Sequence, residues 1–271
     1  MIPRDAARDT ATLLRRRVRH IQRYPSLTLY LVGLPVVFML LFVYVFGATL
    51  GNGLGGGIAK PIVGRAAYAT YVTPAIVLLT VASASTATAM SVATDMTEGI
   101  IDRFRTMAIW RPAVLASHVV GSMIQTVIAV VVVMAVALGI GFRPHAGPLA
   151  WLGAVGVLAM INLALTWLGV ALGVVAKSVQ TASNTPMLLL LLPFLGSGFV
   201  PTASMPVGLR QFATYQPFTA FTDTLRALWT GAPVGDHAAV SATWCAGIAV
   251  IGFGWAVRRY NRGAAAAPTT R

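Results

Sequence analysis

Acidic and histidine side chains are the groups with which this sequence could do acid–base or metal chemistry, and they are few and scattered. Seven Asp and Glu residues and four histidines occur in 271 residues. The histidines are far apart in the sequence: His20, His118, His145 and His237. No HExxH, paired-aspartate or GxSxG motif joins them to a carboxylate or a nucleophile. The pattern indicates a chain that is not itself an enzyme and has no catalytic residue and no metal site.

The sequence also lacks the pattern of a nucleotide site. The stretch Gly169–Ser178 (GVALGVVAKS) superficially resembles a phosphate-binding loop, but Ala176 replaces the Gly that this motif requires. The single cysteine, Cys245, excludes an intramolecular disulfide. We therefore expect no cofactor in this chain, and any work done against a gradient must draw on a partner.

One charged segment, residues 94–111, has the pattern of a short helix between two apolar regions. Asp95 and Glu98 have the spacing of a capping box at a helix start. Glu98, Asp102 and Arg105 then fall on one helical face, where they can pair with one another. A separate apolar stripe is formed by Ile100, Phe104 and Met107. A connecting loop with its own amphipathic helix indicates docking to a soluble partner.

Apolar helices must position these residues, because long stretches of the chain carry no charge. Six stretches without Asp, Glu, Lys or Arg are each long enough for the roughly 20 residues of a bilayer-crossing helix. With 57% apolar residues, the sequence predicts an all-α polytopic membrane protein, a single transmembrane domain over residues 1–271. We place the six spans at residues 27–50, 67–93, 112–142, 149–176, 185–200 and 237–257.

These predicted spans contain no Asp or Glu, which argues against coupling to a proton or sodium gradient. The only titratable candidate is His118, near the start of the third span, and we expect it to face lipid headgroups. The second span is rich in hydroxyls: Thr80, Ser83, Ser85, Thr86, Thr88 and Ser91. Helix packing is the expected role of these hydroxyls, and a polar lining for a translocation path is the alternative.

Lys and Arg are distributed asymmetrically about the predicted spans. Fifteen of the 20 fall on the side that contains both termini, and five fall on the other side. Positive charge is retained on cytoplasmic flanks, so both termini are predicted to be cytoplasmic in a multi-pass protein of the cell membrane. The first apolar run lacks a cleavage pattern and is expected to be retained. The net charge of +13 then reflects topology and attraction to anionic membrane lipid, and nucleic acid is not an expected partner.

Residues 5–24 have the pattern of a basic amphipathic helix that ends at Pro25. Its apolar residues share one face, and Arg15, Arg16 and Arg19 lie on the others. Such a helix beside a span lies in the membrane interface. A plain cluster of topology-determining charge is the alternative.

The chain before the last predicted span is irregular. The apolar run 185–200 contains Pro193 and is short for a crossing. Two weakly polar stretches follow, Val207–Tyr215 and Phe218–Trp229, within a predicted external segment at 201–235. They fit a pair of re-entrant or surface-lying helices, which the membrane tolerates only when they are buried against protein.

Two segments of the sequence resemble the permease subunits of type-2 ABC exporters, close to their daunorubicin-resistance branch. Asp95–Leu115 (DMTEGIIDRFRTMAIWRPAVL) resembles the segment of that family between its second and third spans. Gly196–Leu228 (GSGFVPTASMPVGLRQFATYQPFTAFTDTLRAL) resembles the signature before its last span. Ala108 departs from the family pattern, which often has Pro there, and Pro112 follows four residues later.

The resemblance implies roles for particular residues. A coupling element would contact a separate ABC nucleotide-binding subunit, which would bind ATP and Mg²⁺, through Glu98, Gly99, Asp102, Arg103, Phe104 and Arg105. The leading helix with Arg15, Arg16 and Arg19 would flank that contact. An external re-entrant region would close the exit and include Pro201, Pro206, Pro217, Asp223 and Arg226. A second permease chain, identical or different, would complete a path lined by spans one, two and five.

The sequence therefore predicts the permease subunit of an ATP-driven exporter of a hydrophobic or amphipathic small molecule, such as a drug, an antibiotic or a lipid. A lipid-linked glycan exporter uses the same fold and remains an alternative. A non-catalytic membrane scaffold is the alternative from another class. A neighbouring ATPase gene would separate an exporter from a scaffold.

Overall fold

The computed structural model describes residues 25–50, 64–98 and 111–265, and within these ranges the chain is helical, with no strand. The first helix, α1, is α-helical over Pro25–Leu41, π-helical over Phe42–Phe46 and α-helical again over Gly47–Leu50. The other long helices are α2 (Arg65–Thr97), α3 (Arg111–Ile140), α4 (Pro148–Val175) and α9 (His237–Ala265). Four shorter helices lie between α4 and α9: α5 (Val179–Asn184), α6 (Met187–Leu191), α7 (Val207–Tyr215) and α8 (Pro217–Thr230).

Five helices in the described part of the chain are long and apolar enough to cross a membrane, and they correspond to five of the six predicted spans. The helix α2 is the central one, since 72% of its most apolar window is buried against 22% for α3 and for α9. Most of the apolar side chains of α3 and α9 are therefore on the outside of the bundle, as in helices that face lipid.

Close approach between α2 and α4 depends on two glycines of α4. A Cβ atom at Gly169 would lie 2.8 Å from the Ser85 hydroxyl oxygen, and one at Gly173 would lie 2.8 Å from the Val92 Cβ. Small residues at this spacing let helices pack closely in a membrane.

The buried apolar side chains of the described residues form three clusters along α2, of which the smallest consists of Leu31, Ala84 and Ala129. The largest one, which we call the main core, includes Tyr68, Ile76, Phe199 and Trp229 and surrounds the first half of α2. The third, the inner cluster, lies near the other end of α2 and consists of Val92, Leu115, Val119, Val170, Ala171 and Ala256. We refer below to the tyrosine end of the bundle, near Tyr68, and to the Asp95 end, near the inner cluster.

The predicted fifth span, residues 185–200, is not a continuous helix. Only Met187–Leu191 is helical, and successive turns follow up to Phe199. A Cβ at Gly196 would collide with the Gln216 amide nitrogen, and one at Gly198 would lie 2.7 Å from the Ala75 Cβ. These glycines allow tight packing where the backbone is irregular. The apolar composition of the segment did not predict this irregularity.

This segment nevertheless returns the chain from the Asp95 end to the tyrosine end. The last turns of α4 lie at the Asp95 end, because Gly173 packs against Val92 of α2. From there the chain runs through α5 and α6 to Ser197, whose carbonyl accepts a hydrogen bond from the Tyr71 hydroxyl (2.8 Å) at the tyrosine end. The predicted fifth span is therefore not a helix of membrane-crossing length, and its residues follow a broken path between the two ends of the bundle.

The predicted pair of short helices is observed as α7 and α8. Pro217 is the first residue of α8, where its missing N–H costs nothing. Gly231 ends α8 with a positive φ of 74°, a conformation that favours glycine.

Candidate functional site

A polar cluster at the tyrosine end joins α2, the turn segment 192–200 and α8. Its central residue is Arg226, which donates from Nη1 to Asp223 Oδ1 (2.7 Å) and from Nη2 to the carbonyl of Ser197 (2.8 Å). The guanidinium carbon lies 3.9 Å from the centre of the Tyr71 ring, within cation–π range. We call this group, with Tyr68, the Arg226 cluster.

The other members of the Arg226 cluster bond to backbone groups that the irregular segment leaves free. The Ser197 hydroxyl donates to Asp223 Oδ1 (2.7 Å), and the Ser197 carbonyl accepts from Tyr71 as well as from Arg226. The Tyr68 hydroxyl donates to the carbonyl of Phe199 (3.2 Å). Carbonyls that a helix would have paired internally are thus satisfied by side chains from α2 and α8.

A second set of side-chain bonds secures the start of the same segment to the α7–α8 turn. Gln216 Nε2 donates to the carbonyl of Leu192 (2.8 Å). The Ser197 N–H donates to Thr219 Oγ1 (3.3 Å), and that hydroxyl donates to the carbonyl of Ala213 (2.5 Å). Irregular backbone at membrane depth requires such partners within the protein.

The chemistry of this arrangement is attachment rather than catalysis. Arg226 is 18% exposed and Asp223 24% exposed, so solvent screens their ion pair only partly. The planar guanidinium satisfies a carboxylate, a carbonyl and an aromatic face at once, which lysine could not do. Among the residues that the structure describes, no three His, Cys, Asp or Glu side chains are grouped so as to hold a metal ion.

The structure brings together two of the five predicted residues of the external region, Asp223 and Arg226, three residues apart on α8. The three prolines mark the starts of elements instead. Pro201 precedes the 3₁₀ turn Thr202–Ser204, Pro206 precedes α7, and Pro217 begins α8.

Of the predicted coupling residues, only Glu98 lies within the described part of the chain. Glu98 follows the last residue of α2, is exposed, and donates its N–H to the carbonyl of Thr94 (2.9 Å). The others, Gly99, Asp102, Arg103, Phe104 and Arg105, lie outside the described residues, as do Arg15, Arg16 and Arg19 of the predicted interface helix.

Two expectations about the Asp95 end are wrong. Asp95 does not cap a new helix, because α2 continues to Thr97 and includes it, so a carboxylate does lie in the last turn of a membrane-length helix. His118 does not face headgroups. It is buried, and its Nε2 lies 3.1 Å from Asp95 Oδ2.

The hydroxyls of α2 bond either back to their own helix or across to a neighbouring helix. Four of them donate to carbonyls one turn earlier in α2: Thr80, Ser83, Thr86 and Thr88. Ser85 donates across to the carbonyl of Leu165 in α4 (2.6 Å), and the hydroxyls of Thr88 and Ser122 are hydrogen bonded between α2 and α3.

Sequence reasoning missed Tyr68, Tyr71 and Ser197 as members of the site. Two tyrosines three residues apart on one face of an apolar helix are a signal for a buried polar partner, since a buried phenol needs one. It also missed the Asp95–His118 pair. The two residues lie near opposite ends of the charged segment 94–111, and that position could have indicated a contact between them.

Comparison with known proteins identifies the family of this chain. The family model described as ABC-2 type transporter matches residues 8–229, most of the chain. The chain is 29% identical over 227 residues to the daunorubicin resistance ABC transporter permease protein DrrB1 of Streptomyces coeruleorubidus, covering 83% of this chain and 76% of that protein. It is 22% identical over 216 residues to the probable doxorubicin resistance ABC transporter permease protein DrrC of Mycobacterium tuberculosis, covering 80% of this chain and 76% of the relative. The chain therefore belongs to the ABC-2 type transporter family.

Proposed function

We propose that this chain is the transmembrane permease subunit of an ATP-driven exporter that moves a hydrophobic or amphipathic small molecule out of the cell. The observation that carries the proposal is the family match over residues 8–229, which includes the charged segment at one end of α2 and the Arg226 cluster at the other. Two relatives are a daunorubicin resistance permease and a probable doxorubicin resistance permease, which supports a drug-like substrate.

The energy for transport comes from a separate subunit in this proposal. A partner ABC nucleotide-binding subunit holds ATP and Mg²⁺ and contacts Glu98 and the segment from Gly99 to Arg105. The leading helix with Arg15, Arg16 and Arg19 flanks that contact in the lipid interface. Exposure of Glu98 at the end of α2 supports this assignment.

The Asp95 end is cytoplasmic and the tyrosine end is external in the proposed orientation. The concentration of Lys and Arg near both termini and the charged loop supports it. The broken return over residues 179–200 keeps the number of crossings even, so both termini lie on the cytoplasmic side.

The Arg226 cluster keeps the external end closed at rest. A second permease chain, identical or different, packs against the exposed apolar faces so that a path forms between the two copies. Because the cluster fastens residues 192–200 to α2 and α8, opening requires this segment to move together with those helices.

The direct test is to co-express the chain with a candidate ATPase subunit, purify the complex and reconstitute it in vesicles. Daunorubicin is the probe, and its ATP-dependent movement is followed by fluorescence. Co-purification with ATP-dependent movement supports the exporter, and a non-hydrolysable ATP analogue is the control. A chain that purifies with no ATPase and moves no amphiphile would be a scaffold. Movement of a lipid-linked glycan but not of daunorubicin would identify the glycan-exporter alternative.

A further inference from the structure

The contact between Asp95 and His118 bridges the two helices that the charged loop connects. Asp95 lies three residues before Glu98, in the last turn of α2, and His118 lies two turns into α3, which begins at Arg111. His118 Nε2 and Asp95 Oδ2 are 3.1 Å apart, with side-chain exposures of 6% and 25%. Residues 99–110 therefore connect two helix ends between which the Asp95–His118 contact is made.

This contact lies beside the inner cluster rather than the main core. Val92 of α2 packs there with Leu115 and Val119 of α3, and Ala256 of α9 joins them. A largely buried polar contact in apolar surroundings seldom adds net stability over apolar packing of the same volume, but it can fix the relative position of two elements. Its presence here favours a positioning role over a stabilising one.

The tight packing next to this contact can transmit a displacement of the end of α2 to neighbouring helices. Gly173 of α4 lies so close to α2 that a Cβ there would be 2.6 Å from the Ala89 carbonyl oxygen. On the α3 side, the Thr88 and Ser122 hydroxyls are bonded further along the same two helices. Since packed interiors have little free volume, a displacement of the end of α2 must be shared with α3 and α4.

We propose that the Asp95–His118 pair is a positioning contact for coupling, which makes the ends of α2 and α3 move as one unit when the ATPase displaces residues 99–110. The inference rests on the proposed function and deepens it. The pair touches neither the transported molecule nor ATP. Its loss lowers the amount of substrate moved per ATP hydrolysed, while the ATPase still binds.

The test compares Gln and Asn at position 118, two amide side chains that differ in length. A Gln at position 118 places its amide nitrogen where Nε2 lies and keeps the contact with Asp95. An Asn places its amide near the position of Nδ1, an atom with no hydrogen-bond partner among the described residues, and cannot reach Asp95. Both variants are polar and uncharged, so they differ mainly in this contact. His237→Asn, at the exposed start of α9, is the matched control.

The measured quantity is daunorubicin moved per ATP hydrolysed by the reconstituted complex with its ATPase. His118→Gln and His237→Asn are expected to stay within about twofold of wild type, and His118→Asn to fall about fivefold or more, a typical size for coupling between sites. Equal ratios for His118→Gln and His118→Asn would overturn the inference. If Asp95→Ala and His118→Ala each lower the ratio, their combination is expected to be no worse than either alone, and additive losses would contradict the pair.

The failure of the proposed function has a different result. A wild-type permease that binds no ATPase, or a reconstituted complex that moves daunorubicin without ATP, refutes the exporter and the inference with it. A wild-type complex with normal ATP-driven movement and an unimpaired His118→Asn variant refutes the inference alone.

Discussion

The guanidinium carbon of Arg226 lies 3.9 Å from the centre of the Tyr71 ring, although 155 residues separate them in the sequence. This contact fastens α8 to the first half of α2, and the same guanidinium also holds the carbonyl of Ser197 and the carboxylate of Asp223. Arg226 is therefore the side chain that bonds the irregular segment, α2 and α8 at once, beside the bonds that Tyr68, Tyr71 and Gln216 make to the same segment.

Replacement of Arg226 by Lys is expected to destabilise the purified chain by roughly 1–3 kcal/mol, the cost of leaving a buried hydrogen-bonding group without its partner. Lysine keeps the charge but cannot bond the carboxylate and the carbonyl while stacking on Tyr71. The free energy of unfolding in detergent measures this. Arg143→Lys is the matched control, because Arg143 is exposed and bonds only backbone carbonyls in the described part of the chain. Equal stability of the two variants would contradict the role of Arg226.

Gly198→Ala tests the close packing of the irregular segment. The new Cβ would lie 2.7 Å from the Ala75 Cβ and 2.9 Å from the Pro193 carbonyl oxygen, so the backbone must shift. Overpacking of this kind costs about 1–3 kcal/mol. Gly247→Ala in α9 has no atom within 4 Å of the new Cβ and is expected to be neutral or to stabilise by up to about 1 kcal/mol. A neutral Gly198→Ala in a thermal unfolding assay would show that the segment is loosely packed.

The proposed orientation predicts which side of the membrane labels introduced cysteines. In a Cys245→Ala background, Ala232→Cys in the exposed turn after α8 should react with a membrane-impermeant thiol reagent from outside intact cells. Glu98→Cys should react only after the membrane is opened. Permeabilised cells control for reactivity at both positions. Labelling of Ala232→Cys from the cytoplasmic side alone would contradict the proposed orientation.

The sequence predicted the long helices well because charge-free apolar stretches correspond directly to membrane-length helices. It did not predict the break at 192–199, since that conformation depends on partners distant in sequence, such as Tyr71 and Arg226. Asp223 and Arg226 were found through the family motif, but the pairing of Asp95 with His118 was not. The end of α2 was placed too early, and a boundary error of four residues removed Asp95 from the helix.

Charge reversal in the charged segment tests the predicted contact with the ATPase. Glu98→Lys combined with Asp102→Lys is expected to lower transport about tenfold or more, because like charges at an interface disfavour docking by several kcal/mol. The yield and the unfolding temperature of the permease should not change, since Glu98 is exposed. Asp236→Lys, an exposed carboxylate before α9, is the control. Unchanged substrate-stimulated ATPase activity in the double variant would show that this face is not the contact.

The most direct measurement of the central claim compares two energy sources in the same vesicles. The permease and its ATPase are reconstituted together, and daunorubicin movement is followed with ATP while an ionophore collapses the pH gradient and the membrane potential. The account predicts that movement persists at the same rate and stops when ATP is replaced by a non-hydrolysable analogue. Accumulation driven by a pH gradient through the permease alone, without ATP, would contradict it and would identify a secondary transporter.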